Sequence, residues 1–435
     1  MIPIEFRAIS DALSSEEGER IAIRGWVYRK REFKDKIFLV IRDSSGIIQC
    51  LARKDNQKAF EEARKATIES SVEVEGCIKK DPRAPGGCEL KVNELKIVGL
   101  AAPFPITKSA VDASSDFLLD VRHLWIRSRR MTAILKVRDT VFRSIHDFFR
   151  SRGFYEVQAP MFVTAAVEGG ASLFKVDYFG RRDVYLTQSS QFYLEVLIYS
   201  LERVYTIAPS FRAEKSRTRR HLTEFWHAEA EAAWMDLNEL MRLEEDLICH
   251  IVSTVLSERA EELGLLGRNV KALELVEPPF PRLAYDEAIE ILQEKGFDIQ
   301  WGDDLGSDEE RALTMDFEKP VFIYGYPEKC KAFYHKPDPS RPEITLSADL
   351  LAPEGYGEII GGGERIENLD VLLDKIKKFG LDPKDYEWYL DLRRYGTVPH
   401  SGFGLGTDRL VMWICGLQHI REAVPFPRDI RKVYP

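Results

Sequence analysis

No Cys-x-x-Cys pair occurs in the chain, and its six cysteines (Cys50, Cys77, Cys88, Cys249, Cys330 and Cys415) are scattered. That spacing argues against a disulfide scaffold and a structural zinc cluster, and it predicts free thiols in a reducing cytoplasm. No apolar run approaches the ~20 residues needed to cross a bilayer, so no membrane partner is expected. The opening Met1-Ile2-Pro3-Ile4-Glu5 lacks the basic-then-apolar pattern of a secretory leader. An excess of positive charge is also missing: the net charge is −9, so any contact with nucleic acid must rest on local basic clusters. Regular strand–helix alternation is absent, which disfavours a doubly wound parallel sheet, and there is no internal repeat. No Ser-His-Asp or Cys-His arrangement stands out, so an enzyme-bound covalent intermediate is not expected.

At 435 residues, 44% hydrophobic and 31% charged, the chain has material for two or three domains with cores of their own. Residues 19–99 alternate in short runs (21–27, 37–42, 47–51, 72–75 and 90–98) broken by turn signals at 43–46 and 85–87. This predicts a five-stranded barrel. Proline and small residues from Ala101 to Ser115 read as a linker. The expected division is therefore 1–100, a linker over 101–117, and a second unit over 118–435. In that unit Ile134, Val137, Val141, Ile145 and Phe148 recur at helical spacing with Gly153 as the stop, and Leu240, Leu243, Leu247 and Ile251 mark another helix. Strand-like runs fall at 184–186, 204–207, 321–324 and 358–360. The expected class is α+β: a barrel, then an antiparallel sheet flanked by helices.

The chemistry concentrates in one stretch. Arg212 and Glu214 sit two apart after Phe211, a basic run (Lys215, Arg217, Arg219, Arg220) leads to His221, and Glu224-Phe225 opens a second strand. Period-two alternation places Phe225, His227, Glu229 and Glu231 on one face, with Arg212 and Glu214 sharing a face of the strand before. Such a hairpin offers a ring for a purine and guanidinium groups for a polyphosphate. Taken singly, each charge reads as a solvated tip and Phe225 as a core aromatic. It is the set, joined by Arg409 behind the glycine-rich turn Gly404-Leu405-Gly406, that points to ATP.

These two segments resemble the second and third signature motifs of class II aminoacyl-tRNA synthetases, and Gly153 to Pro160 resembles the first, which builds a dimer interface in that family. The resemblance implies an OB-fold barrel followed by a class II catalytic domain, with ATP and Mg²⁺ as cofactors and a homodimer as the assembly. It gives Arg212 the α-phosphate and Arg409 the γ-phosphate as the catalytic arginines. Phe225 is expected to stack on adenine, with Glu214 near the base and Arg220 and His221 at the phosphates. Asp349 and Glu358 match the acidic magnesium ligands, Glu358 also lying at the ATP site; carboxylates suit a hard cation. Read without the resemblance, both are surface acids at a turn and a strand edge.

The match narrows to the aspartate/asparagine branch through Glu168-Gly169-Gly170, Gln188 to Gln191, Glu358 to Arg365, Pro399 to Gly402 and Phe426 to Asp429. Glu168, Gln191, Leu194, Glu229 and Arg365 are its expected amino-acid-binding positions. Aspartyl members typically carry a lysine where Leu194 stands, and that lysine pairs with the substrate carboxylate. Without it, a carboxylate facing Arg365 loses one of two cations at a cost of about a few kcal/mol. Glu229 is expected to accept from the substrate amide or amino group and to offset Arg365; the plainer reading is that it only holds the amino group. The expected substrates are L-asparagine and the tRNA for asparagine.

On the barrel, Phe38 and Gln49 match positions where the family stacks on and hydrogen-bonds anticodon bases; read alone, Phe38 is equally a core aromatic. The competing readings are an aspartyl-tRNA synthetase that charges one or both tRNAs, and a tRNA-independent asparagine synthetase on the same core. A non-catalytic RNA-binding relative is the third. Leu194 speaks against the first, the barrel against the second, and the retention of Arg212, Arg409, Asp349 and Glu358 against the third.

Overall fold

The structure is a computed structural model that describes residues 5–107, 115–167, 172–215 and 218–435. It divides into two compact units, one reaching Leu119 and the other running from Asp120 to Pro435.

In the first unit, among the described residues, strands Arg20–Glu32, Lys36–Arg42, Ile47–Arg53, Ser71–Lys80 and Cys88–Gly99 close a barrel. The first strand pairs antiparallel with the second and the fourth, the third runs parallel to the fifth, and the fifth returns antiparallel to the fourth. Alternation sorts the side chains: Ile37, Leu39 and Ile41 enter the core, which turns Phe38 outward. Helix Gln57–Lys65 plugs one end with Ala59, Phe60 and Ala63, its first turn capped by the Asn56 side chain, which accepts from the Ala59 N–H. The five runs expected from alternation are the five barrel strands.

In the second unit the main sheet has the order Arg282–Ala284, Val321–Tyr324, Ser347–Ala352, Gly357–Glu364, His400–Gly406, Glu224–Ala233, Arg203–Phe211, Tyr155–Glu156. Its six inner strands are antiparallel, as expected. Both outermost strands pair parallel instead, Arg282–Ala284 with Val321–Tyr324 and Tyr155–Glu156 with Arg203–Phe211.

Helices Arg129–Ser151, Leu237–Glu258 and Thr407–Ile414 cover one face of this sheet. Ser128 caps the first helix and an Asp236–Glu239 capping box starts the second. Ile134, Val137, Val141, Ile145 and Phe148 are all fully buried, each contributing about 1.5–3 kcal/mol by leaving water. The first helix stops where expected: Gly153 adopts φ +76°, and the Phe154 N–H turns back to the Phe149 carbonyl at 3.0 Å. Ala228, Ala230 and Ala232 present only methyl groups to these helices, so the layers approach closely. The alternate residues of the same strand are left for the opposite face.

Candidate active site

That opposite face is the floor of a cleft of about 380 Å³. The register sets Glu229 beside Gly404 and Glu231 beside Gly402, with Gly361 and Gly363 next in the same rows. A Cβ at Gly402 or Gly404 would collide with the Glu231 carboxylate or the His227 ring, so the glycines give these side chains room to lie across the floor.

At one end the cleft adjoins a smaller recess of about 80 Å³ lined by Arg212, Glu214, Leu222, Phe225, Ile359 and Arg409, among others. The Arg212 guanidinium lies 5.4 Å from the Phe225 ring centroid, leaving a slot with one aromatic wall and aliphatic neighbours. Arg409 stands on helix Thr407–Ile414, whose Asp408 is buried. Asp408 accepts from Arg138 and, at 3.0 Å, from the Trp226 N–H, which ties this helix to the hairpin. Arg409 donates to the Glu358 carboxylate at 2.8 Å and to the Glu358 carbonyl at 3.1 Å. Arg220 forms a two-pronged pair with Glu310, and the Glu358 N–H donates to the same carboxylate at 2.6 Å. His221 hydrogen-bonds Thr218; burial, with Arg409 and Arg220 close by, pushes its pKa down to about 4.

Asp349 and Glu358 converge above Gly361, each with an oxygen within 3.3 Å of where a Cβ there would sit. Both Asp349 oxygens accept from Lys331, at 2.7 and 2.5 Å, and that ammonium lies 3.9 Å from the Tyr326 ring centroid. Burial and the neighbouring Glu358 carry the Asp349 carboxyl up to about 6 against the pull of Lys331. Glu358 goes the other way: burial opposes its ionisation, but Arg409, Arg220 and Lys331 outweigh it.

At the other end Ser189, Gln191, Leu194, Glu229, Glu231, Tyr334, His335 and Arg365 line the cleft. Leu194 is fully buried among Ile198, Val204, Ala233 and Val398. Arg365 grips Glu231 through Nε to Oε1 at 3.0 Å and Nη2 to Oε2 at 3.1 Å, with Tyr334 beneath its guanidinium at 5.4 Å.

The cleft and its recess thus bring the arginines, the paired acids and the polar pocket together on one face of the sheet. Residues 114–430 match the family of class II tRNA synthetases (D, K and N), and residues 21–98 match the OB-fold nucleic acid binding domain. Asparagine–tRNA ligases of Thermococcus gammatolerans and Thermococcus kodakarensis are each 54% identical, with 98% of both chains covered. The chain belongs to the class II aminoacyl-tRNA synthetases, in the asparagine–tRNA ligase family. Its fold matches the crystal structure of asparaginyl-tRNA synthetase from Pyrococcus horikoshii complexed with asparaginyl-adenylate, with a TM-score of 0.96 at 51% identity over the whole of both chains. An aspartyl-tRNA synthetase from Entamoeba histolytica shares the fold at a TM-score of 0.85 but only 25% identity, over 100% of this chain and 93% of that one.

Within this synthetase, Arg212, Arg220, His221, Glu358 and Arg409 line both the cleft and the recess; Gln191, Leu194, Glu229, Asp349 and Arg365 line the cleft, and Glu214 and Phe225 the recess. Glu168 lies outside the described residues. Phe38 lies on the outer barrel face, edge-on to Phe33 at 6.0 Å, and the Gln49 amide donates to Glu89 at 3.2 Å.

One expectation is corrected. Glu229 does not offset Arg365; Glu231 does. Glu229 instead accepts from the Ser189 hydroxyl and, at 2.8 Å, from the Ser190 N–H. Both acids share a strand face, but only Glu231 lies in the row of Gly402 and Gly363 that brings it beside Arg365.

Sequence reasoning also passed over Lys331, Glu310, His335 and Glu195. Glu195 left a signal, since it falls one helical turn after Gln191. It is fully buried and accepts from Gln191, Tyr389, Arg393 and His400. Burial raises its carboxyl, yet Arg393 and His400 hold it below the usual range. Among the described residues Glu195, Glu231 and His400 bring ligand atoms within 4.8 Å of one another, as a metal site would. Arg365 and Arg393 pair with the two carboxylates, and neither Glu195 nor His400 lines the cleft, so the cluster is a buried ion-pair network.

Proposed function

We propose that the chain activates L-asparagine with ATP and transfers it to the tRNA for asparagine. The observation that carries this reading is the state of Arg365. Its guanidinium is already matched by Glu231, and Leu194 adds no cation, so neither residue offers an unmatched positive charge to an aspartate carboxylate. A neutral amide fits: its carbonyl can share Arg365, and its NH₂ finds acceptors in Glu229 and Glu231. The named relatives support the same choice.

In the first step an oxygen of the asparagine α-carboxylate bonds to the α-phosphorus of ATP while the bridge to the β-phosphate breaks, releasing pyrophosphate. Arg212 holds the α-phosphate and Arg409 the γ-phosphate, so the charge shifting to the leaving group stays paired with guanidinium. Phe225 stacks on adenine with Glu214 at its edge. Arg220 reaches the phosphates from its pair with Glu310, and His221 takes part as a neutral imidazole near pH 7. In the second step a hydroxyl of the terminal tRNA ribose attacks the adenylate carbonyl and AMP leaves. Positioning and charge neutralisation carry both steps.

Asp349 and Glu358 would hold Mg²⁺. Their oxygens meet over Gly361, and an all-carboxylate donor set suits a hard cation. When bound, the ion would supply further neutralisation of phosphate charge, adding to that of Lys331 and Arg409.

The division at 1–100, 101–117 and 118–435 fits a barrel that reads the anticodon through Phe38 and Gln49, a linker and the catalytic domain. Assembly as a homodimer fits the exposed Tyr155 on the outermost strand, within the segment resembling the first motif. Residence in the cytoplasm fits the free thiols; among the described residues no helix is long and apolar enough to cross a membrane.

The test is ATP–pyrophosphate exchange with asparagine and aspartate side by side, followed by aminoacylation of the two tRNAs. Exchange with asparagine at least about a hundredfold more efficient than with aspartate, or about 2.7 kcal/mol, is expected. Equal use, or preference for aspartate, overturns the reading.

A further inference from the structure

We propose that Glu195, which does not line the cleft, is a positioning residue that makes the pocket select asparagine over aspartate. It acts by fixing which end of the Gln191 amide faces the amino acid. The proposal rests on the asparagine reading above.

Glu195 is completely buried on helix Gln191–Leu201, and its carboxylate is ringed by donors. Tyr389 donates at 2.7 Å to Oε2, Arg393 through Nη2 at 2.9 Å to Oε2, and His400 lies 2.9 Å from Oε2 through Nε2. The fourth partner is Gln191 on the cleft wall, whose Nε2 donates to Oε1 at 3.0 Å.

An ionised carboxylate only accepts hydrogen bonds. Facing Glu195, the Gln191 carboxamide must therefore turn its NH₂ inward to the network and its oxygen toward the cleft. The amino acid then meets an acceptor, which suits ammonium and amide N–H groups and repels a carboxylate oxygen. A neutral residue at 195 would let the Gln191 amide turn over and offer its NH₂ to a carboxylate.

Charge works in the same direction. The Glu195 and Glu231 carboxylates lie within 4.8 Å of each other, so the negative charge of Glu195 stands just behind the fork that holds Arg365. Removing it raises the potential at the end of the cleft that must refuse aspartate.

The experiment uses the full-length protein and reads kcat/KM for adenylate formation with each amino acid. Glu195→Gln is expected to raise the aspartate-to-asparagine ratio by about tenfold or more over the unaltered protein. That variant leaves Arg393 buried without its carboxylate, so Glu195→Gln combined with Arg393→Met is the guard against misfolding; it too should raise the ratio, because a carboxamide can donate as well as accept and no longer fixes the Gln191 amide. Arg393→Met alone keeps Glu195 and should leave the ratio where it was or lower it.

A merely structural role predicts equal losses with both amino acids. An unchanged ratio in folded Glu195→Gln or in the double variant overturns the proposal, and so does a rise in Arg393→Met as large as in Glu195→Gln. If the unaltered protein prefers aspartate, the asparagine reading fails by itself; the change in ratio from variant to variant is a separate measurement.

Discussion

Glu231 and Arg365 face each other through two parallel hydrogen bonds of 3.0 and 3.1 Å, with 1% and 3% of their surfaces exposed. A guanidinium so engaged stays available to a substrate through its remaining N–H groups, but its charge is already answered. On the proposed function, such a pocket selects by hydrogen-bond pattern more than by charge.

Removing that answer should change the substrate. Glu231→Gln leaves Arg365 charged and unmatched, so aspartate should be activated more readily and asparagine less, with a swing of about tenfold or more in the ratio of kcat/KM. The variant should also lose about 3–5 kcal/mol of stability, because half of a buried pair is gone. Pyrophosphate exchange and urea unfolding measure the two effects. Retained selection with lost stability would mean that the fork serves the fold alone.

Leu194→Lys should shift selection toward aspartate as well, but at a cost that the sequence does not reveal. Leu194 is fully buried: Ile198, Val204, Ala233 and Val398 surround it, on the wall of the cleft. A lysine there must reach the cleft to keep its charge solvated. The expected result is a lower Tm that recovers when aspartate and ATP are added together, because the substrate carboxylate then pairs with the new ammonium. Differential scanning with each amino acid checks it; recovery with asparagine and not aspartate would contradict the charge argument.

How far the site could be read in advance depended on distance along the chain. The shared face of Phe225, His227, Glu229 and Glu231 follows from strand alternation, and the helix stop at Gly153 from backbone freedom. Both are local. The Glu231–Arg365 fork joins residues 134 apart and exists only because three strands pair in one register. Arg220 meets Glu310 across 90 residues for the same kind of reason. The outermost strands Tyr155–Glu156 and Arg282–Ala284 are too short to show alternation, so their parallel pairing left no pattern to read.

Glu244 predicts how stability depends on pH. It sits on helix Leu237–Glu258 beneath Gly362, fully buried, and among the described residues neither carboxylate oxygen has a hydrogen-bond partner. Burial, then the nearby Asp349 charge, pushes its carboxyl well above the usual range. A group whose pKa is raised on folding contributes stability below its unfolded pKa of about 4.3 and loses it as pH rises toward the folded value. Glu244→Gln removes that loss, so relative to the unaltered protein it should gain about 1–3 kcal/mol at pH 8 and nothing near pH 4. Denaturant unfolding of both proteins across this range measures the difference; a gain that does not change with pH would show that Glu244 is ionised to the same extent folded and unfolded.

A substitution at Phe38 tests the proposed role of the barrel apart from that of the cleft. Alternation with the core residues Ile37 and Leu39 turns its ring outward, where Lys36 lies 5.6 Å from the centroid. An outward ring flanked by a cation is a platform for an unpaired base, and each such stack is worth ~1–3 kcal/mol. Phe38→Ala removes no core contact of the barrel, so it should leave Tm and pyrophosphate exchange unchanged, since neither involves tRNA. Aminoacylation should instead fall roughly 5- to 150-fold in kcat/KM for tRNA, the span that this stacking energy corresponds to, and mostly through KM. Phe38→Tyr, which keeps the aromatic face, should restore most of the loss. An equal fall in exchange and aminoacylation would place the ring in the fold and leave the anticodon to other residues of the barrel.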